Sequence, residues 1–233
     1  FMGYAKGFDV SYDLTTKFEF SRWMDKTLLK KSLYKLEKLL REIGISLGSK
    51  RFLPYTPGED VLNTLFNHIK SVKGNSFFGW VHFMDTHDPF FLYKKELRDL
   101  GYNVHPWDVF KANHLPLYRA PYSISKSENE LVTMLYYSSA KYIDNVVEKL
   151  FNGLDRIGVL KDTAVIITAD HGEGLGDHGF YGHVPQFYNE LINVPFILFN
   201  PEFSVRDEGA LICAKEIPYI IQLLARNKLT ALE

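Results

Sequence analysis

The densest group of potentially reactive side chains lies in a 14-residue segment that begins at Asp170 and ends at His183. It contains three histidines, two aspartates, one glutamate and five glycines. Carboxylates and imidazoles together form a common ligand set for divalent metal ions. Glycines let the backbone turn tightly and approach a ligand closely. This density therefore favours a metal site over a polar loop with incidental histidines, and adjacent Asp170 and His171 could reach one ion where a strand ends.

A second polar cluster, Asp85-Thr86-His87-Asp88-Pro89, follows the apolar aromatic segment 76–84. We predict buried strands over residues 76–84, 163–169 and 194–199, because each is short and rich in apolar, aromatic or β-branched residues. Two of these three strands end in Asp and His clusters. Ligands of α/β sheets gather at the carboxyl ends of strands, so the pattern indicates a ligand site at that edge.

Helical spacing of apolar residues predicts the elements that would cover such a sheet. The predicted helices are 24–43, 60–72, a short one near 94–100, 127–152 and 217–225. A capping box at Ser127 and Glu130 would open the fourth of these helices, and Asn152-Gly153 would end it. Residues 92–122, which contain several prolines, are expected to be irregular. Strands alternating with helices predict a parallel or mixed sheet.

The composition excludes several classes of protein. The chain has 233 residues, 27 Lys and Arg against 28 Asp and Glu, and a net charge of -1, without the basic excess of nucleic-acid binders. Its single cysteine, Cys213, permits no intrachain disulfide. It has no run of 18 apolar residues that would predict a membrane span and no signal-peptide pattern. The low cysteine content slightly favours a cytoplasmic protein, while the localisation and oligomeric state stay open.

The sequence VIITADHGEGLGDHGFYGH, followed by FYNELINVPFILFNP, resembles the C-terminal metal-site motif of the sulfatases, in the alkaline phosphatase superfamily. FGWVHFMDTHDPF resembles their substrate-binding segment. The resemblance begins near residue 7 and is most specific over residues 163–200. It implies a three-layer α/β/α sandwich with a mostly parallel sheet, and one catalytic domain over residues 1–233.

The resemblance also implies roles for single residues. It makes Asp170 and His171 metal ligands, and His87 a contact of the sulfate or phosphate ester. His183 lies where many relatives have a lysine, and would stabilise charge on the leaving oxygen or donate a proton. The family favours Ca²⁺, with Mn²⁺, Mg²⁺ or Zn²⁺ as alternatives, and the imidazole at position 171 shifts the balance toward manganese or zinc.

Two features of the sulfatase pattern are absent from these 233 residues. No apolar strand ends in paired aspartates, and no Cys or Ser stands in a Cys/Ser-x-Pro-x-Arg motif that would supply the nucleophile. Two evident ligands are too few for a hard cation. We therefore expect an N-terminally truncated, inactive fragment of a metal-dependent hydrolase that acts on small-molecule sulfate esters.

Two alternatives stay open at this point. The first is a relative that acts on phosphoryl groups, such as a phosphonate or phosphodiester hydrolase or a phosphoglycerol transferase. Histidines at positions 171 and 183 suit that chemistry equally well. The second is a non-catalytic α/β module that binds an anion or a partner.

Overall fold

The computed structural model describes residues 9, 10, 12, 55–114, 124–183, 186–203 and 209–226. The described residues form two compact units. The first contains the described residues up to 114 together with 124–150, and the second contains those from 151 onward. The helix predicted over residues 24–43 lies outside the described residues, and the single domain over 1–233 stays a prediction.

The first unit is helical in its described part. Helices α1 (Gly58–Ser71), α2 (Lys94–Asp99) and α3 (Pro106–His114) precede α4 (Lys126–Ile157), whose residues up to 150 belong to this unit. Helices α1 and α2 confirm the predictions near 60–72 and 94–100. Helix α3 corrects the expectation of an irregular 92–122 segment: its proline is the first helical residue, where a missing N–H breaks no hydrogen bond.

The core of this unit combines apolar side chains spaced along the helices at the expected helical period with Tyr55 and Phe90, which lie outside the helices. The buried apolar residues are Tyr55, Leu62, Ile69, Phe90, Leu97, Val109, Ala112, Val132, Leu135 and Val146. None of the described helices combines the length and apolar character that a membrane crossing requires.

Helix α4 is longer than predicted. It passes through Asn152-Gly153 and ends before Gly158, which has a φ of +78° and donates to the carbonyl oxygen of Leu154 at 3.1 Å. A left-handed glycine is a common helix terminator. The capping box also lies two residues earlier than predicted: the Glu128 carboxylate accepts from the Ser125 N–H at 2.6 Å, and the Glu128 N–H donates to Ser125 Oγ at 3.3 Å.

The described part of the second unit contains the end of α4, two small sheets, two short α-helices and two 3-10 turns. Strands β1 (Val165–Thr168) and β4 (Phe196–Phe199) pair with each other, and β2 (Gly174–Leu175) pairs with β3 (Tyr181–Gly182). Helix α5 (Asn189–Ile192) precedes β4, and α6 (Ile217–Ala225) is the last described helix. The strands predicted near 163–169 and 194–199 and the helix predicted over 217–225 are therefore confirmed in position.

The two longer strands run antiparallel, with Val165 opposite Phe199 and Thr168 opposite Phe196. The alternation of strands and helices predicted a parallel or mixed sheet, and a parallel pair of strands requires a long crossover between them. Here the chain between β1 and β4 contains the β2–β3 hairpin and the four-residue α5 instead. The three-layer arrangement stays a prediction.

The segment 76–84 corrects one strand prediction. It is not assigned as a strand, and neither of the two sheets in the described part of the chain includes it. Phe78 and Trp80 are 59% and 55% exposed. An apolar run is a strand only when a neighbouring strand bonds its N–H and C=O groups in a ladder, and neither described sheet contains such a partner strand for this segment.

Candidate functional site

Strand β1 delivers Asp170 and His171 to its carboxyl end. Asp170 Oδ1 accepts the His171 N–H at 3.0 Å and lies 3.8 Å from His171 Nε2. His171 Nδ1 is 2.8 Å from the carbonyl oxygen of Gly172, which accepts its proton and leaves Nε2 as the basic nitrogen. Ligand atoms of one divalent ion lie roughly 3 to 4 Å apart. The spacing and the donor types of this pair therefore fit a common metal ion.

Gly172 fixes this end of the loop against helix α5. Its N–H donates to the carbonyl oxygen of Leu191 at 2.8 Å. A Cβ at this position would lie 2.0 Å from the carbonyl oxygen of Glu190. Because no side chain fits in that space, glycine is required for the close approach of the loop to α5.

The β2–β3 hairpin brings together residues that are ten apart in sequence. Gly174 pairs with Gly182, so Glu173 and His183 are the next pair across the open end of the hairpin. Glu173 Oε2 lies 3.5 Å from His183 Nδ1. The Glu173 side chain is only 7% exposed, whereas that of Asp170 is 70% exposed.

His183 also contacts His171. Their rings stack with centroids 4.3 Å apart and planes 22° apart. One ligand atom each from His171, Glu173 and His183 lies within 4.8 Å of the other two. The structure thus groups three predicted site residues, Asp170, His171 and His183, and adds Glu173. The sequence feature that points to Glu173 is the pair Gly174 and Gly182, because their pairing in the hairpin places Glu173 opposite His183.

His178 lies in the same loop but has different neighbours. Its Nδ1 is 2.5 Å from Glu190 Oε1, and its ring stacks on Tyr188 with centroids 3.9 Å apart. Partial desolvation raises the pKa of the Glu190 carboxyl. The hydrogen bond from its own backbone N–H and the contact with His178 together lower it by more, so the pKa lies below the ordinary value. This pair attaches the tip of the loop to α5 and leaves His178 outside the group around His171.

His87 belongs to the first unit, where hydrogen bonds hold its loop. His87 Nδ1 lies 2.5 Å from the Asp88 carbonyl oxygen and 3.2 Å from Asp88 Oδ1. The Tyr55 hydroxyl donates to the carbonyl oxygens of His87 and, at 2.7 Å, of Pro89. The Asn113 side chain accepts from the Phe90 N–H at 2.8 Å and donates to its carbonyl at 2.9 Å. Sequence reasoning had named neither Tyr55 nor Asn113, because both lie far from the loop in the chain.

Asp85 holds the start of the same loop from the interior of the first unit. Its Oδ1 accepts from the Gly58 N–H at 3.2 Å and from the Tyr93 hydroxyl at 2.7 Å. The side chain is fully buried, and Oδ2 has no hydrogen-bond partner among the described residues. Burial raises the pKa of Asp85, although the hydrogen bonds from Tyr93 and Gly58 oppose the rise.

Comparison with known proteins gives a consistent family. The sulfatase family model matches residues 3–208. The chain is 33% identical to iduronate 2-sulfatase from Homo sapiens over 66 residues. This match covers 28% of this chain and 12% of that protein. It is 29% identical to an arylsulfatase from Clostridium perfringens over 79 residues, and this match covers 34% of this chain and 16% of that protein. The matched part therefore spans less than a fifth of these relatives.

Among solved structures, the chain is similar to the phosphonate monoester hydrolase from Silicibacter pomeroyi. The TM-score is 0.44 at 16% identity, and the match covers 76% of this chain and 42% of that chain.

Asp85 predicts a pH dependence of stability. Its pKa is raised in the folded protein above its unfolded value of about 4. Its stabilising contribution is therefore fully present below about pH 4 and is lost as the pH rises through the folded pKa. The stability advantage of wild type over Asp85→Asn, measured as the difference in free energy of unfolding in urea, should fall as the pH rises above about 4. A difference that is constant or rises with pH would contradict the raised pKa.

Gly172 predicts a large effect from one added methyl group. Gly172→Ala should lower the free energy of unfolding by about 1 to 3 kcal/mol or more, because the backbone of α5 must move. Gly79→Ala is the matched control, since its Cβ would meet its nearest neighbour at an ordinary 3.7 Å. Both changes restrict the unfolded chain equally, so equal stability of the two variants in urea would refute the close approach.

Proposed function

Because this chain belongs to the sulfatase family of the alkaline phosphatase superfamily, we propose that it supplies part of the active site of a metal-dependent hydrolase of small-molecule sulfate esters. One observation carries the proposal: Asp170 Oδ1 and His171 Nε2 converge to 3.8 Å at the end of β1, inside the matched region. In this proposal the fold of the whole domain is a three-layer α/β/α sandwich with a mostly parallel sheet, as family membership suggests.

The proposed roles follow the chemistry of the groups. Asp170 and His171 hold the divalent ion, which when bound supplies positive charge that polarises the ester oxygens. His87 contacts the sulfate group, and His183 stabilises the charge that develops on the leaving oxygen. The contacts from Asp88 fix the His87 ring by its Nδ1 edge, and the bonds from Tyr55 fix its backbone.

We propose further that the nucleophile comes from outside these 233 residues. The sequence contains neither a Cys/Ser-x-Pro-x-Arg motif nor a strand that ends in paired aspartates. The chain alone should therefore turn over little or no ester.

A second candidate function is hydrolysis or transfer of a phosphoryl group. The observation that favours it is the stacked pair His171 and His183, with a carboxylate beside them. This donor set is richer in nitrogen than the oxygen cage that Ca²⁺ prefers. The ester class that the protein hydrolyses distinguishes the two candidates. A protein that hydrolyses neither class would instead be the non-catalytic module.

The test is hydrolysis of matched aryl sulfate, phosphate monoester and phosphonate monoester by the full-length protein that carries this sequence. We expect the sulfate to be the preferred substrate by kcat/KM. Asp170→Asn and His183→Gln should each lower kcat by roughly 10²-fold or more, as loss of one charge-stabilising group does elsewhere. The 233-residue chain should show no turnover above background.

His178→Gln is the control, because His178 contacts Glu190 and Tyr188 outside the proposed site. Its kcat should stay within about threefold of wild type, the effect expected of a side chain that touches no reacting atom. A preference for the phosphate or phosphonate ester would establish the second candidate. Full activity of Asp170→Asn would overturn the assignment of the site.

A further inference from the structure

We propose that His171, Glu173 and His183 form a three-ligand site for a transition-metal ion of the zinc or manganese class. The proposal rests on the proposed function for its metal-dependent chemistry. It adds Glu173 to the site, and it specifies how His183 acts on the ester, namely as a ligand of the ion.

The first argument is convergence. One ligand atom of each side chain lies within 4.8 Å of the other two. Two ligands with bonds of about 2.0 to 2.1 Å at a tetrahedral angle are about 3.4 Å apart. Small side-chain rotations would therefore bring all three atoms onto one ion, and the ion itself supplies the attraction.

The second argument is a contrast between two Glu–His pairs in one loop. His178 Nδ1 and Glu190 Oε1 are 2.5 Å apart, which is a hydrogen-bond distance. His183 Nδ1 and Glu173 Oε2 are 3.5 Å apart. A charge-assisted hydrogen bond would be about 2.7 to 2.9 Å long, whereas two ligands of one ion have nearly the observed 3.5 Å separation.

The third argument is burial. The Glu173 side chain is 7% exposed, and charges interact more strongly where little water screens them. A cation placed beside this carboxylate would therefore be attracted more strongly than at an exposed one. The pairing of Gly174 with Gly182 holds Glu173 opposite His183 before any ion arrives. Such preorganisation lowers the cost of assembling the ligands on binding.

The ligand types decide the class of ion. Ca²⁺ takes six to eight oxygen ligands, whereas two imidazoles and one carboxylate suit zinc or manganese. Zinc should bind more tightly than manganese at such a site, following the general order of affinities among divalent ions. The exposed Asp170 carboxylate lies 3.8 Å from His171 Nε2 but is outside the group of three convergent ligand atoms.

The experiment is isothermal titration of Zn²⁺, Mn²⁺ and Ca²⁺ into the chelator-treated 233-residue chain. We expect zinc to bind more tightly than manganese, and calcium at least about 100-fold more weakly than zinc. Glu173→Gln and His183→Gln should each weaken zinc binding at least about tenfold. The matched controls Glu190→Gln and His178→Gln, which remove the other Glu–His pair, should stay within about twofold of wild type.

A second readout is the visible absorption of Co²⁺ bound in place of zinc, which reports its coordination. Glu173→Gln and His183→Gln should change this spectrum, and circular dichroism should show that both variants keep the wild-type fold. If both variants bind zinc as wild type does, or if calcium binds as tightly as zinc, the proposal is overturned. Absence of zinc binding to the wild-type chain also overturns it.

These outcomes are separable from those of the ester assay. Zinc binding that depends on Glu173 and His183, in a full-length protein inert toward every ester, would support the metal site and refute the proposed function. Hydrolysis that depends on Asp170, with zinc binding insensitive to Glu173→Gln and His183→Gln, would do the reverse.

Discussion

The close approach of the Gly172 backbone to helix α5 is the constraint on which the site loop depends. The Gly172 N–H bonds the Leu191 carbonyl at 2.8 Å, and the Glu190 carbonyl occupies the space that a side chain would need. This contact fixes where the chain leaves β1, and hence where His171 and Glu173 lie on either side of the glycine. The His178 contact with Glu190 attaches the tip of the same loop to the same helix. A helix of only four residues, Asn189–Ile192, thus anchors the loop at its start and at its tip.

The β2–β3 hairpin sets the chemistry of this loop. The β2–β3 register places Glu173 across from His183, and the stacking of His183 on His171 joins the hairpin to the end of β1. The result is a compact group of two imidazoles and a buried carboxylate beside an exposed one. Such a group has more nitrogen donors than an oxygen-only calcium site. The same nitrogen-rich donor set bears on two proposals: the metal ion that the site binds, and whether the ester is a sulfate or a phosphoryl compound.

The first unit holds its own predicted site residue in a different way. His87 stands on a loop whose backbone is bonded by side chains from elsewhere in the unit: the Tyr55 hydroxyl, the Asn113 amide and, at the start of the loop, the Asp85 carboxylate. The burial of Asp85 has an energetic cost, since its charged form is disfavoured away from water. Its two hydrogen bonds offset part of this cost and join the loop to the first turn of α1 and to Tyr93.

The sequence by itself determined the helices whose apolar residues recur at a regular period, the strands that became β1 and β4, and the segment that holds Asp170, His171 and His183. These features depend on local periodicity and residue type, which are visible along the chain. It did not determine α3, the length of α4 or the place of residues 76–84 outside both described sheets. Tertiary structure alone decided that Glu173 faces His183 and that His178 turns to Glu190. The glycine-rich segment has no apolar alternation to specify a strand register, so contacts with α5 and across the hairpin set it instead.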